Sequence, residues 1–144
     1  MNVKKLVRKL VKKYGTEDPF TLCGFLGITV RFSDLVNVRG MYQHELRKKI
    51  VHINSCLEPH VQRQVCAHEL GHALLHKKIN TVFWDTHTFL CTDKLEMEAN
   101  MFAAELLIGD SELFQCEGYS MDQVACTFGV QERLVEYKIK NRIY

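Results

Sequence analysis

The segment His68-Glu69-Leu70-Gly71-His72 constrains the fold of this chain more than any other part of its sequence. Histidines four residues apart lie about one turn from each other, on the same side of an α-helix. Two imidazoles placed in this way can bind one Zn²⁺ ion, and the intervening glutamate can hold the attacking water molecule. The segment therefore predicts a helix that carries a metal site.

Apolar residues at helical spacing place both histidines on the inward side of this helix. Val61, Val65 and Leu75 share one stripe with them. Glu69 would then be half-buried beside the histidines, with no cationic partner nearby in the sequence. Burying an unpaired carboxylate costs free energy. A metal ion accounts for all three polar groups, whereas a chance match between two core histidines leaves the glutamate unexplained.

The rest of the chain predicts an α+β fold. Its 144 residues suit a single domain, 1–144, and no internal repeat or linker divides it. Segments with strand patterns predict a small antiparallel sheet of about three strands, at 28–32, 40–42 and 49–54. Helical periodicity predicts a helical core against this sheet, with helices over 2–14, 20–26, 95–108, 120–128 and 131–139 and from Pro59 onward.

A catalytic zinc ion takes a third protein ligand, which must come from another part of this chain. The helix predicted over 95–108 is apolar nearly all round, yet it contains Glu96 and Glu98. These glutamates flank its apolar stripe on opposite sides, so periodicity does not choose between them. His87 and Cys91, in the loop before this helix, are alternative ligands.

Other polar side chains are candidates for supporting roles. His76 extends the histidine series, but eight residues of helix rise about 12 Å, which is beyond the reach of the same ion. We therefore expect His76 to end the helix or to contact a metal ligand. Stabilisation of an oxyanion needs a hydrogen-bond donor such as tyrosine or histidine. The candidates, which the sequence does not rank, are Tyr42, His44, His52 and His87.

Composition argues against several other classes of protein. Apolar runs are far shorter than the roughly 20 residues that cross a bilayer, and a net charge of +2 does not by itself indicate binding to nucleic acid. The six cysteines form no C-x-x-C pair, which argues against a zinc ribbon. Basic residues interrupt the apolar ones at the N-terminus, unlike in a signal peptide, so we expect a cytoplasmic protein with free thiols.

The C-terminal segment 120–140 has the outline of a helix-turn-helix, with Gly129-Val130 as its short turn. A DNA reader of this kind presents basic residues on its second helix. Here that helix mixes Glu132 and Glu136 with its basic residues, which weakens any contact with phosphate. We therefore expect the two helices to pack on the core or to dock a substrate.

The motif HELGHALLH, followed downstream by EMEANMFAAELL, resembles the ImmA/IrrE family of small bacterial zinc metallopeptidases. The segments IVHIN and QVACTFGVQERLVEYKIK are similar to the same family pattern. The resemblance implies that His68, His72 and Glu98, the glutamate directly before Ala-Asn, bind zinc, and that Glu69 is the general base. It also implies a gluzincin-like enzyme that acts on a helix-turn-helix repressor encoded nearby, relieving repression of a mobile element or of stress genes.

We therefore expect a zinc-dependent endopeptidase with a protein substrate and no membrane partner. Zn²⁺ would polarise the scissile carbonyl, and Glu69 would accept a proton from water. One alternative is a DNA-binding regulator whose zinc is structural, and another is a module that captures a repressor without cutting it. Glu69 argues against both alternatives, since a purely structural site has no need of that carboxylate.

Overall fold

A computed structural model describes residues 2–84 and 93–143 of the chain, without the side chains of 141–143. Along the chain, the described residues form two helices, three strands, a long helix, a fourth strand and four further helices. The helices are α1 (Val3–Tyr14), α2 (Pro19–Phe25), α3 (Pro59–Leu75), α4 (Lys94–Leu107), α5 (Asp110–Phe114), α6 (Met121–Phe128) and α7 (Glu132–Ile143). The strands are β1 (Ile28–Ser33), β2 (Val38–Glu45), β3 (Lys48–Asn54) and β4 (Thr81–Trp84).

The strands form one mixed sheet in the order β1-β3-β2-β4. This arrangement confirms the α+β class, and the small sheet has four strands and one parallel pairing where about three antiparallel strands were predicted. Strand β3 lies between β2 and β1, antiparallel to β2 and parallel to β1. Strand β4, which the sequence analysis did not predict, pairs antiparallel with β2 at one edge of the sheet.

Helix α3 runs through the centre of the molecule between the sheet and α4. Every residue from 64 to 73 is buried, so the helix is covered on all sides rather than along the single predicted stripe. Gly40 of β2 allows the sheet to approach it closely. A Cβ atom at this position would lie 2.5 Å from Val65 Cγ1 and 2.9 Å from the His52 carbonyl oxygen.

The C-terminal helices α6 and α7 pack on the rest of the molecule. Helix α7 contacts α4 and buries Leu134 and Val135 completely. The turn before it is bound to α3, because the Gln64 side chain donates to the Gly129 carbonyl and accepts from the Gln131 amide. These contacts support the packing role expected for this helix pair, since they bury one side of its second helix.

Two features bear on the expectations from composition. None of the helices within the described ranges is long and apolar enough to cross a membrane. The described cysteines are all free thiols, and three of them, Cys23, Cys66 and Cys116, are buried. The Sγ atoms of Cys23 and Cys66 lie 3.9 Å apart, far beyond the roughly 2.05 Å of a disulfide bond.

Candidate metal centre

Helices α3 and α4 bring two imidazoles and one carboxylate together. The Nε2 atoms of His68 and His72 are 3.2 Å apart. The Glu96 oxygens lie 2.9 Å from His68 Nε2 and 3.0 Å from His72 Nε2. Ligands about 2.0–2.1 Å from a tetrahedral zinc ion are separated by roughly 3.3 Å, so the three donor atoms have nearly the spacing that the ion requires.

The local sequence explains why these donors converge. The two histidines are four residues apart on α3 and therefore share one side of it. Between them, Gly71 lets α4 approach, because a Cβ atom there would lie 3.1 Å from Phe102 Cβ and 3.2 Å from the Ala99 backbone. Helix α4 begins after Asp93, whose side chain accepts a hydrogen bond from the Leu95 amide. Glu96 consequently lies in the first turn of α4, where the helix dipole favours a negative charge.

Glu98, the third ligand implied by the family resemblance, is not brought to this cluster. Its Oε1 atom lies 3.4 Å from His76 Nε2. Residues two apart on a helix differ by about 200° in direction, so Glu96 and Glu98 cannot both face the two histidines. Among the residues that the structure describes, Glu96 rather than Glu98 comes together with His68 and His72.

Each histidine of the cluster forms a second hydrogen bond through its other ring nitrogen. His68 Nδ1 lies 2.7 Å from Asn100 Oδ1, and His72 Nδ1 lies 3.1 Å from His76 Nδ1. His76 is the C-cap residue of α3. This position agrees with the expectation that His76 ends the helix or contacts a metal ligand. Bonds of this kind fix the orientation of metal-binding imidazoles and leave Nε2 for the metal.

Glu69 lies beside the cluster and is completely buried. Its Oε2 atom accepts a hydrogen bond of 3.4 Å from the Thr81 hydroxyl. Its Oε1 atom has no hydrogen-bond donor among the residues that the structure describes. Burial, together with the negative charge of Glu96, raises the pKa of Glu69 well above its usual range. An unsatisfied carboxylate oxygen at this position fits a site built around a cation and a water molecule.

The protonation states of two donors also suit a cation. Burial raises the pKa of Glu96, but hydrogen bonds from His68 and His72 outweigh it and hold that pKa well below its usual range. Burial lowers the pKa of His72, although its bond to Glu96 opposes this effect. An ionised carboxylate and a neutral imidazole are the forms that bind divalent metals. The residues present therefore fit a metal ion of the zinc type.

Strand β4 contributes two residues that the sequence analysis missed. Thr81 contacts Glu69, and the buried ring of Phe83 lies over His68 with 4.3 Å between the ring centroids. Both side chains point toward α3 because they pair with Tyr42 and Gly40 on the face of β2 that covers this helix. The alternation Thr-Val-Phe-Trp was the available signal, but four residues are too few to identify a strand with certainty.

The oxyanion candidates are scattered. The Tyr42 hydroxyl donates to the Lys77 carbonyl at 2.6 Å, so in this structure its proton is not available to an oxyanion. His52 pairs with Met41 on the face of the sheet opposite Gly40, and its Nε2 atom lies 3.0 Å from Gln43 Oε1. His44 lies near the end of β2, opposite Lys49 of β3. His87 and Cys91 lie outside the described residues.

Zinc peptidases of one large class hold their metal with two histidines and one glutamate and use a further glutamate on the same helix as a base. The cluster between α3 and α4, with Glu69 beside it, has the donor set of this class. The family model described as the IrrE N-terminal-like domain, peptidase family M78, matches residues 23–140, and the chain belongs to this ImmA/IrrE family.

Two relatives agree with this assignment over nearly their whole lengths. The chain is 34% identical to the metallopeptidase ImmA of Bacillus subtilis, in an alignment that covers 99% of this chain and 90% of that protein. It is 38% identical to uncharacterized immunity region protein 2 of Bacillus phage phi105, over 94% of this chain and 88% of the phage protein. Family membership and these matches support a metallopeptidase.

Proposed function

We propose that this chain is a zinc-dependent endopeptidase whose metal is bound by His68, His72 and Glu96 and whose general base is Glu69. The observation that carries the proposal is the convergence of three donor atoms within 4.8 Å of one another beside a fully buried glutamate. A structural zinc site usually has four protein ligands. Three ligands leave one position for substrate or water, as hydrolysis requires.

The proposed site assigns a separate role in hydrolysis to the metal, to Glu69 and to Thr81. A bound zinc ion supplies a Lewis acid for the scissile carbonyl and makes water more acidic. Glu69 accepts the proton of the attacking water and delivers it to the leaving amine. Thr81 binds one oxygen of this carboxylate and leaves the other for the water.

The proposed substrate is a helix-turn-helix repressor encoded near this chain, and the proposed place of action is the cytoplasm. The name of the phage relative, an immunity region protein, supports a role in the control of a mobile element. Cleavage of the repressor would then derepress the genes of that element or a set of stress genes.

Incubation of the zinc-loaded protein with the purified repressor, followed by mass spectrometry, tests this proposal. We expect one or a few defined cuts that disappear when a chelator is added and return with added zinc. An intact repressor under all conditions would reject this substrate. Absence of cleavage of the repressor and of a library of unfolded peptides would reject the peptidase activity itself.

The variant Glu69→Gln separates cleavage from capture. The substitution keeps the shape of the side chain and removes the base, so we expect it to retain zinc and to lose about 10²–10⁴-fold in cleavage rate. It should still bind the repressor and retain it uncut in a pull-down. If Glu69→Gln and the unmodified chain relieve repression equally in cells, the protein acts by capturing the repressor and not by hydrolysing it.

A further inference from the structure

The two histidines of the metal centre are supported in different ways. His68 Nδ1 contacts a neutral amide, the side chain of Asn100, at 2.7 Å. His72 Nδ1 contacts another imidazole, that of His76, at 3.1 Å. His76 in turn places its Nε2 atom 3.4 Å from Glu98 Oε1. His72 is thus connected to a carboxylate through a third histidine.

Metal binding would fix which ring nitrogen carries the proton in each histidine of this series of contacts. If His72 binds the metal through Nε2, its ring proton lies on Nδ1, which must donate to His76 Nδ1. His76 then accepts at Nδ1 and carries its own proton on Nε2. That proton points to Glu98, whose carboxylate can only accept when it is ionised. Each group therefore has one role, and no two donors face each other.

The end of helix α3 makes this arrangement possible. His76 leaves the helical conformation, with φ −133° and ψ 47°, while its amide still donates to the His72 carbonyl at 2.7 Å. The ring folds back beside His72, with 5.3 Å between the ring centroids. His76 is itself buried, whereas the Glu98 side chain is 24% exposed. The chain of contacts thus runs from the buried centre to a carboxylate that solvent reaches.

We infer that His76 and Glu98 are positioning residues that hold His72 in its metal-binding tautomer and orientation. This inference rests on the proposed metal centre and deepens it. A metal-bound histidine is usually supported by one carboxylate, carbonyl or water, and loss of that support costs about 10–100-fold in metal affinity or activity. Here the support has two members, so Glu98 acts only through His76.

Zinc affinity, measured by competition with a chromophoric chelator, tests the inference without any substrate. His76→Leu removes the acceptor for His72, and we expect the zinc dissociation constant to rise about 10–100-fold. His76→Asn places an oxygen near the position of Nδ1 and should restore most of this affinity. Glu98→Ala should give a loss smaller than about tenfold, and His76→Asn a similar one, because both break only the outer contact. The exposed Glu117, changed to Ala, is the control and should have no effect.

A double-mutant comparison shows whether Glu98 acts through His76. Glu98→Ala should weaken zinc binding in the unmodified chain but not in the His76→Leu or His76→Asn backgrounds. If His76→Leu does not fold, the comparison in the His76→Asn background carries the test. Equal losses for His76→Leu and His76→Asn, or additive losses with Glu98→Ala, would overturn the inference. Failure of the unmodified chain to bind zinc would instead reject the metal centre, so the two outcomes are distinct.

Discussion

Two glutamates buried in this chain have opposite surroundings. Glu105 lies 2.7 Å from the ammonium group of Lys138, which is itself 1% exposed. Glu69 has a hydroxyl at one oxygen and, within the described part of the chain, no donor at the other. A buried polar atom without a partner costs about 1–3 kcal/mol. The comparison indicates that Glu105 serves the fold, whereas Glu69 is retained at a cost to the fold.

Replacement of each glutamate by leucine should therefore change stability in opposite directions. In the metal-free protein, Glu69→Leu should raise the free energy of unfolding by about 1–3 kcal/mol, because it removes the unsatisfied carboxylate oxygen. Glu105→Leu should lower it by about 1–3 kcal/mol, because it removes one of the two carboxylate partners of a buried ammonium group and leaves Asp110 as the other. Urea denaturation measures both changes. A loss of stability in both variants would mean that Glu69 is a structural residue.

Residue-level features of the site were only partly predictable from the sequence. His68, Glu69 and His72 were predicted to lie together because their spacing matches one helical turn. The proposed third donor, Glu96, was not predicted, because α4 is apolar nearly all round and its stripe does not separate Glu96 from Glu98. Asn100, one turn after Glu96, was the available signal. It lies on the same side of α4, and the structure places it against His68.

Two glycines allow neighbouring secondary-structure elements to pack closely against α3. Gly40 allows β2 to contact α3, and Gly71 allows α4 to contact it from the other side. The Gly40 contact lies beside the proposed metal site, because Glu69 Cγ would be 3.5 Å from a Cβ atom at position 40. The distances of β2 and α4 from α3 are therefore set by two glycines, which have no side chain.

Gly40→Ala should destabilise the protein by about 1–3 kcal/mol, as overpacking of a core usually does. The added methyl group meets Val65 and the backbone oxygen of His52, and a backbone atom cannot rotate away. Gly24→Ala is the matched control, since a Cβ atom there has no neighbour within 4 Å. Alanine should stabilise helix α2 at this position by up to about 1 kcal/mol. Equal urea midpoints for the two variants would contradict this account of the packing.

The sequence predicted the long helices that have a clear hydrophobic period. It did not predict which strands pair with each other in the sheet. The amphipathic pattern of α1 gave its bounds almost correctly, because one face is lysine-rich and the other apolar. The parallel pairing of β1 with β3 was missed, because side-chain alternation does not state which strand lies next to which. Strand β4 was missed for a related reason, since its four residues are fixed by pairing with β2 more than by their own pattern.

A network of charges connects the N-terminal helix to the C-terminal half of the molecule. Asp110, at the start of α5, lies 3.2 Å from Lys4 Nζ and 3.1 Å from an Arg8 guanidinium nitrogen, both on α1. Its Oδ1 atom is also 2.7 Å from Lys138 of α7. Burial raises the pKa of Asp110, but these three cations outweigh it and hold the pKa well below its usual range.

Asp110 should therefore contribute to stability in a pH-dependent way. A carboxyl group whose pKa is lower in the folded state stabilises the protein above its ordinary pKa of about 3.9. That contribution is lost as the pH falls through the lower value of the folded state. Because the Asp110 side chain is 44% exposed and screened by solvent, we expect Asp110→Asn to cost about 1 kcal/mol at pH 7.

The difference between the unmodified chain and Asp110→Asn should shrink toward zero as the pH falls below about 4. Urea denaturation at a series of pH values measures it. The exposed Glu117, changed to Gln, is the control and should show little difference at any pH. A difference that stays constant down to pH 2 would show that Asp110 acts through packing and not through charge.

The central claim is that His68, His72 and Glu96 bind one metal ion. Elemental analysis of the purified protein after dialysis tests it most directly. We expect about one Zn²⁺ per chain in the unmodified protein, little or none in His72→Ala or Glu96→Ala, and nearly full occupancy in Glu98→Ala. Full occupancy in Glu96→Ala with loss of zinc in Glu98→Ala, or zinc retained when His68 and His72 are both replaced by alanine, would contradict the claim.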